Sequence, residues 1–420
     1  MRINNGIQIT IASMVLCVSA QAAEYSVTPY AQTRVDTDTN RRLIQDSDTT
    51  YGATVEAGAA IAIETEDTTI AVTPSVRVAR FTDDGTNTDQ DNEEFFIDIL
   101  GNRRVNERFT VGGFLNFENT GVIGSELDDQ GLVIDTDKNF SRKAVSLGPS
   151  LTYILSERDS LRFDLTYSDT SYENNQTSLT DFSVYSANLS WTRQLTESDR
   201  IIASAFITQQ DPELSFLVLS SAGPNPELLE SQVDTFGGRI GYVHSFSDTL
   251  SGSLSVGVRN SESDFPRLVT AFLDGGGNTI RIYDQGHTES TGLLFDASLE
   301  KQFERTTVTV SASRSASGTG TGLNQERDDY SIGARHLFSD RLTGNTSLQY
   351  FETTLEDGTD GNAIDQIRYV AGLDWEMTEF WTLGGGYTYR HRSSDTSESA
   401  EGHGGYLNVR YNGDKYAISR

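Results

Sequence analysis

From residue 24 onward, apolar and polar residues alternate one for one along most of the chain. In the clearest run, Val145, Leu147 and Leu151 share one side, and small or polar residues occupy most of the other. The alternation resumes at Leu161 and Phe163 after a short polar break. A period of two predicts extended strands with one apolar face. Because the runs are longer than ordinary strands and are joined alternately by short turns and long acidic loops, they predict strands that cross a membrane as a closed barrel.

A short turn signal recurs between these runs. It consists of a large apolar residue followed by Ser or Thr and then an acid, and clear copies begin at Leu155, Leu195 and Phe338. The irregular spacing of the signal fits loops of different lengths better than propeller blades. We expect short turns at residues 64–68, 105–108, 155–160, 195–200, 246–249, 303–306, 338–341 and 377–380.

Longer connections separate the pairs of strands that the short turns join. We expect them near residues 37–50, 83–93, 121–140, 173–181, 211–231, 264–288, 316–328, 355–365 and 393–403. Eight short turns and nine long connections join eighteen strands, with sixteen as the alternative count. Segment 264–288, with Gly275–Gly277 at its centre, is alternatively a small hairpin, and 211–231 and 264–288 are the candidates for folding into the barrel.

The fold class that follows is all-β. We predict a transmembrane antiparallel up-and-down β-barrel with short periplasmic turns and long acidic extracellular loops. An even number of strands places both chain ends on the periplasmic side. The alternatives are a soluble protein with several sheets and a repeat solenoid.

The start of the chain predicts export. Residues 1–22 have the features of a signal peptide, because Arg2 precedes an apolar stretch and Ala20-Gln21-Ala22 offers a small-x-small cleavage site. The single cysteine, Cys17, lies inside this segment. No later stretch is apolar over the roughly 18 residues that a spanning helix needs. Residues 23–420 are therefore predicted to form a single outer-membrane β-barrel domain.

Acidic residues dominate the charge and give a formal net charge of −29. Such a surface repels nucleic acid, so no nucleic-acid partner is expected. The simplest interpretation is a solvated exterior, and the alternative is divalent-cation bridging to lipopolysaccharide. The acids cluster in three predicted loops, at Asp36, Asp38, Asp46 and Asp48, at Asp83, Asp84, Asp89, Asp91, Glu93 and Glu94, and at Glu126, Asp128, Asp129, Asp135 and Asp137.

Large aromatic residues gather beside the predicted short turns. Amphipathic rings prefer the headgroup boundary of a bilayer, so this placement predicts a periplasmic aromatic girdle. A soluble β-sandwich would scatter or bury the same rings. The predicted girdle comprises Trp191, Phe246, Phe303, Phe338, Trp375, Phe380 and Trp381.

If the apolar faces point to lipid, residues of the opposite parity line the lumen. In one interpretation, inward arginines pair with inward acids and hold the shape of the barrel. In the other, an arginine ladder escorts an anionic solute or polysaccharide through a pore. The candidate pore-lining residues are Arg34, Arg77, Arg162, Arg239, Arg259, Arg335, Arg368, Arg390, Arg410, Glu56, Asp98, Glu118, Asp164 and Asp374.

Catalytic and metal-binding motifs are not found in the sequence. The five histidines accompany no recognisable nucleophile and orienting group, and no stretch has the spacing of a calcium loop. We therefore predict no enzyme activity, no catalytic residue, no metal site and no cofactor.

The whole pattern resembles bacterial outer-membrane β-barrels, specifically the porin-like barrels often associated with exopolysaccharide production. The resemblance rests on the hairpins with the apolar-Ser/Thr-acid turn, on runs such as Tyr185–Leu195 and on the closing segment Tyr406–Arg420. Many such barrels finish on an aromatic residue, whereas this chain ends on Arg420, and residues 412–415 are a candidate bulge in the last strand.

What the resemblance implies is a location in the outer membrane of a Gram-negative bacterium and contact with lipid, lipopolysaccharide and the barrel-assembly machinery. The expected function is a porin-like channel that passes small solutes or an exported polysaccharide. The alternative is a non-conducting structural or adhesive barrel that acts through its acidic loops.

Overall fold

The computed structural model describes residues 23–41, 43, 48–83, 90–122, 140–173, 180–213, 216–219, 226–229, 231–273, 279–318, 324–356, 363–394 and 398–419. The predicted signal peptide lies outside these residues. The strands are β1 (Glu24–Asp38), β2 (Thr50–Glu64), β3 (Thr68–Asp83), β4 (Gln90–Arg104), β5 (Phe109–Val122), β6 (Phe140–Ile154), β7 (Asp159–Glu173), β8 (Phe182–Gln194), β9 (Asp199–Pro212), β10 (Phe216–Leu219), β11 (Pro226–Leu229), β12 (Gln232–Ser247), β13 (Leu250–Leu273), β14 (Thr279–Gln302), β15 (Thr306–Gly318), β16 (Asn324–Ser339), β17 (Leu342–Glu356), β18 (Ala363–Glu376), β19 (Trp381–Ser394), β20 (Ala400–Asn412) and β21 (Tyr416–Ser419).

One antiparallel sheet contains every described strand except the small β10–β11 hairpin. Each strand pairs with its neighbours in the chain, β9 pairs with β12, and β1 closes the sheet by pairing with β20 and β21. Since β20 and β21 occupy one position, the described residues form a closed barrel of eighteen strands, as predicted. Closure leaves no open sheet edge across the barrel wall. Among the same residues, no helix is long and apolar enough to cross a membrane.

The two faces of the barrel wall differ in the way that the alternation predicts. Adjacent residues in β14 show this directly, because Leu293 is 66% exposed on the outer face whereas Leu294 is 2% exposed on the inner face. Apolar residues on the outer face recur throughout the barrel, as at Ile240 in β12 and Leu407 in β20. An exposed apolar exterior is the face that lipid covers in a membrane barrel.

The short turns lie where the sequence predicts them, and a Ser or Thr side chain caps several of them. Between β6 and β7, the Ser156 Oγ accepts a hydrogen bond from the Asp159 amide (3.1 Å) and donates one to the Asp159 carboxylate (2.8 Å). Between β18 and β19, the Thr378 Oγ accepts a hydrogen bond from the Trp381 amide at 3.1 Å. A side-chain oxygen that bonds to the backbone a few residues on stabilises a tight turn.

Two expectations about the long connections are wrong. Segment 264–288 is not a loop, because β13 continues to Leu273 and β14 begins at Thr279, so that the alternative hairpin is correct. Asp36 and Asp38 belong to β1, and Asp91, Glu93 and Glu94 belong to β4. Beyond the lipid-facing band both faces of a strand are polar, so the hydrophobic alternation ends before the strand does.

The last strand position contains the bulge that was expected. Asn412 in β20 pairs with Tyr30, and Tyr416 in β21 pairs with Val27. Three residues of the last strand therefore lie opposite two of β1, and the Gly413 amide bonds to the Pro29 carbonyl at 2.7 Å. One extra residue on one strand is the definition of a β-bulge.

Candidate functional site

The inner face of the barrel carries the charged residues that the sequence singles out. Each has the parity opposite to an exposed apolar neighbour; Arg77, for example, follows Val76, which is 51% exposed on the outside. Arg335 and Arg368 have the same inward parity in β16 and β18. Four more of the predicted residues contact an aromatic ring or a side-chain amide. The Arg239 guanidinium lies over the Phe206 ring, and hydrogen bonds join Asp98 to Asn116, Asp374 to Asn345 and Arg410 to Gln32.

Arg77 lies at the centre of a charged row that crosses three strands. Its guanidinium is 3.0 Å from Glu56 Oε2 on β2 and 3.2 Å from Glu94 Oε2 on β4. The three residues are direct register partners, so the row is set by the sheet itself. Glu94 is 9% exposed, and its other oxygen accepts the Gly121 amide. The alternation of signs holds neighbouring strands together across the inner face.

Other predicted arginines and acids also form ion pairs on this face. Arg34 is 2.6 Å from Asp36, and Arg162 is 2.8 Å from Asp164. The structure therefore supports the interpretation in which inward arginines pair with inward acids. Several ion-pair partners are not among the predicted pore-lining residues, and some of them had been assigned to loops. They are Asp36, Asp38, Glu94, Arg142 (paired with Glu118) and Glu326 (paired with Arg259).

The first long connection turns inward immediately after β1. We call residues 39–41 and 43 the loop-1 turn. The Arg390 guanidinium lies 2.6 Å from the Asp38 carboxylate and donates to the Asn40 carbonyl at 3.1 Å, and the Asn40 side chain donates to the Glu401 carbonyl at 3.0 Å. Leu43 is 2% exposed and has a φ of 52°, a left-handed conformation that a leucine adopts only when its surroundings enforce it. The loop-1 turn is therefore firmly attached to the inner wall.

A recess of about 320 Å³ opens beneath the loop-1 turn. Arg41 forms its roof, with the guanidinium carbon 3.6 Å from the centre of the Phe81 ring. The charged row of Arg77 forms one wall, and the Arg34 pair forms another, with Arg34 stacked 4.1 Å from the centre of the Tyr406 ring. This recess could not be predicted from the sequence, because it is closed by the loop-1 turn, whose position depends on contacts with distant strands.

A second segment enters the barrel on the opposite side. Pairing between β14 and β15 stops at Phe295 and Arg314, although β15 continues to pair with β16 as far as Gly318. We call residues 315–318 and 324–327 the β15–β16 tip. The position that a Cβ would take at Gly318 lies 3.2 Å from the Val233 Cβ, on the inner face of β12. The tip therefore crosses the inner faces of β14 and β13.

Arg259 joins the wall to the β15–β16 tip. Its side chain is fully buried and lies 3.2 Å from Glu326 of the tip, while Ser261 and Ser290 accept further hydrogen bonds at 3.1 Å. Glu326 also contacts Arg314 at 3.1 Å. A buried charge needs a partner and hydrogen bonds. The tip supplies that partner, and its Gly318 lies against Val233, which is 2% exposed.

The two inward segments face each other across the lumen. The loop-1 turn lies against β3, β19 and β20, and the β15–β16 tip lies against β9 and β12, half the circumference away. Among the described residues, the barrel interior is therefore occupied from two opposite sides at the end where the long connections lie. Within the part of the chain that the structure describes, no group of three or more His, Cys, Asp and Glu could hold a metal ion.

Aromatic side chains lie near the short-turn end of the outer face. Phe246, Phe303 and Phe338 are more than half exposed, and Trp375 and Trp381 are nearly so. Trp381 packs against Tyr411 with ring centres 4.9 Å apart. A second group of outward rings was missed in the sequence, namely the pairs Tyr167–Tyr185, Tyr330–Tyr350 and Tyr369–Tyr387. Their assignment to membrane boundaries stays a prediction.

Tryptophan fluorescence tests this assignment. In vesicles that contain brominated lipids, we expect stronger quenching of Trp191, Trp375 and Trp381 by bromine near the headgroups than by bromine near the bilayer centre, because indole rings sit at the interface. Single-tryptophan variants with the other two residues replaced by phenylalanine give each depth separately. Strongest quenching from the bilayer centre would contradict the girdle.

Comparisons with known proteins agree with this architecture. Residues 9–192 match the family model "Outer membrane protein beta-barrel domain", and residues 275–412 match "Putative beta-barrel porin 2". Among curated proteins, no significant match is found.

Solved structures with a similar barrel share little sequence with this chain. The FrpB iron transporter from Neisseria meningitidis, F5-1 variant in its apoprotein form, is 8% identical with a TM-score of 0.50, over 92% of this chain and 81% of that one. OccAB2 from Acinetobacter baumannii is 11% identical with a TM-score of 0.45, over 94% and 98% of the two chains. Likeness at such identity concerns the fold alone. The closed sheet makes this chain an eighteen-stranded antiparallel β-barrel, and the two family models that match it, each over less than half of its length, both describe β-barrel proteins.

Proposed function

We propose that the chain is an outer-membrane channel that lets small polar solutes pass through its lumen. The observation that carries the proposal is the inner face, where charged residues such as Arg77, Arg162 and Asp374 recur around the barrel, while large apolar residues are exposed on the outer face. A closed wall of eighteen strands is wide enough for an aqueous passage. The two inward segments favour small solutes over a polysaccharide chain, because they narrow the entrance from opposite sides.

A non-conducting barrel that acts through its acidic loops is the second candidate. The same two inward segments support it, because each of them occupies part of the cross-section of the lumen. In both cases we infer an outer-membrane location, lipid and lipopolysaccharide as surroundings, insertion by the barrel-assembly machinery and no catalytic role.

The ion preference of the channel follows from the pairing of its arginines. Arg77 has two carboxylates as partners, and Arg34 and Arg162 have one each. Paired guanidinium groups attract anions weakly, whereas the chain as a whole carries a net charge of −29. We therefore expect a modest preference for cations and no anion-selective ladder.

Reversal potentials in planar bilayers test this expectation. With refolded protein between two unequal KCl solutions, we expect zero current at a potential slightly displaced towards that of K⁺. Raising the salt on both sides should reduce the displacement, because salt screens exposed charges. A clear preference for chloride would contradict the proposed selectivity, and an absence of current would favour the non-conducting barrel.

A further inference from the structure

The recess beneath the loop-1 turn has a charge pattern that the channel function does not require. It is lined by three guanidinium groups, from Arg34, Arg41 and Arg77, and by the three carboxylates of Asp36, Glu56 and Glu94. The recess is therefore neutral as a whole but densely charged. Its volume of about 320 Å³ is large enough for a small organic solute.

Charges of opposite sign lie side by side on the recess wall. Glu56, Arg77 and Glu94 are register partners on three neighbouring strands, and cross-strand neighbours on one face are roughly 5 Å apart. Arg34 and Asp36 repeat the alternation along β1, where they are 2.6 Å apart. A solute in the recess thus meets a cation and an anion within one short span.

The existing ion pairs determine which kind of solute binds to this wall most favourably. A lone anion that displaces a carboxylate from Arg77 leaves that carboxylate without a partner, and Glu94 is only 9% exposed. A group buried without its charge partner is costly. A lone cation that pairs with one of the carboxylates likewise leaves an arginine without its charge partner. A zwitterion avoids it, because its carboxylate pairs with a guanidinium while its ammonium pairs with the displaced carboxylate.

We propose that the recess beneath the loop-1 turn binds small zwitterions of the α-amino-acid type, with Arg77 and Arg34 facing the carboxylate and Glu56 and Asp36 facing the ammonium group. The inference rests on the proposed channel function and names a solute class for it. Arg41 closes the recess from above, stacked on Phe81. Because both charges of a zwitterion find partners on the wall, the recess favours zwitterions over uncharged solutes of the same size.

Swelling of proteoliposomes tests the proposal. The full-length protein is reconstituted, and its vesicles are transferred into isosmotic L-glutamine or into isosmotic xylitol, an uncharged solute of similar size. We expect several-fold faster swelling in L-glutamine. L-Glutamine, but not xylitol, should also reduce the K⁺ current through single channels, because it occupies the recess.

A matched pair of variants separates the recess from the rest of the lumen. Glu56→Gln/Arg77→Gln/Glu94→Gln keeps the size of the side chains in the charged row, removes all three of its charges and changes the net charge of the recess by only one unit. It should abolish the preference for L-glutamine over xylitol. Arg162→Gln/Asp164→Asn removes an ion pair outside the recess and should retain the preference. Heat-modifiable migration in gels verifies that each variant is folded.

Each outcome is decisive. Equal swelling of the wild type in both solutes, or a preference that survives the triple replacement, overturns the zwitterion site while the channel function stands. If the triple variant does not fold, the absence of current reduction by L-glutamine in the wild type is sufficient to overturn the site. A folded wild type that passes neither solute and carries no current overturns the channel itself.

Discussion

Replacement of Arg259 by alanine should produce larger and noisier single-channel currents. The Arg259 side chain is fully buried, and Glu326 of the β15–β16 tip is its ionic partner at 3.2 Å. Removing one member of a buried pair costs about 3–5 kcal/mol when the other charge stays buried. Glu326 keeps its ion pair with Arg314, so we expect a loss of free energy at the lower end of that range. The loss weakens the attachment of the β15–β16 tip to the wall. The tip then leaves the wall for part of the time, and the passage widens.

Conductance recordings with a reversible disulfide measure this effect. Cysteines introduced as Gly318→Cys and Val233→Cys would face each other across the contact between tip and wall, with a Cβ separation of 3.2 Å, slightly below the usual range. The sequence contains no other cysteine than Cys17. Oxidation should return the current of the Arg259→Ala channel towards the wild-type value, and reduction should release it again.

The control is Arg193→Ala, which removes a half-exposed arginine 3.7 Å from Asp159 near a short turn. Its currents should match those of the wild type. Unchanged conductance in a folded Arg259→Ala channel, whether or not the disulfide is formed, would show that the β15–β16 tip does not limit the passage.

Replacement of Arg77 by alanine should make the channel clearly cation-selective. Arg77 neutralises two carboxylates at once, Glu56 at 3.0 Å and Glu94 at 3.2 Å. Its loss leaves two negative charges at the recess, on the two strands that flank β3. We expect these charges to act on the ions that pass through the lumen. A ring or row of carboxylates in a pore favours cations. We expect a several-fold rise in the permeability ratio of K⁺ to Cl⁻, stronger at low salt than at high salt.

The reversal potential in a KCl gradient reports this change, and a charge-balanced variant provides its control. Arg77→Ala combined with Glu94→Gln restores most of the local neutrality, and the glutamine carbonyl can still accept the Gly121 amide. That double variant should move the reversal potential back towards the wild-type value. Equal reversal potentials for wild type and Arg77→Ala would place the charged row away from the ion path.

The architecture could be predicted from the sequence because two local signals agree. Alternation marks the lipid-facing part of each strand, and turns such as Ser156–Asp159 carry their own capping side chains. Both depend on residues that are near each other in the chain. The number of strands and the inward parity of Arg77 and Arg259 follow from these signals alone.

The interior features could not be predicted in the same way. Glu326 lies in a polar segment whose composition does not differ from that of an ordinary loop. Its inward course is visible only in the structure, from the end of the β14–β15 pairing and from the contact of Glu326 with Arg259. The recess depends on Arg390 holding the loop-1 turn from a strand about 350 positions further along the chain. Contacts between residues so far apart in the chain produce no periodic pattern of hydrophobic residues from which they could be predicted.

Single-channel recording of the refolded wild-type protein in a planar bilayer shows directly whether the barrel encloses a conducting lumen. If it does, we expect discrete and reproducible current steps that are smaller than those of Arg259→Ala. A folded, heat-modifiable wild-type protein that inserts into the bilayer and yields no current steps would contradict this expectation.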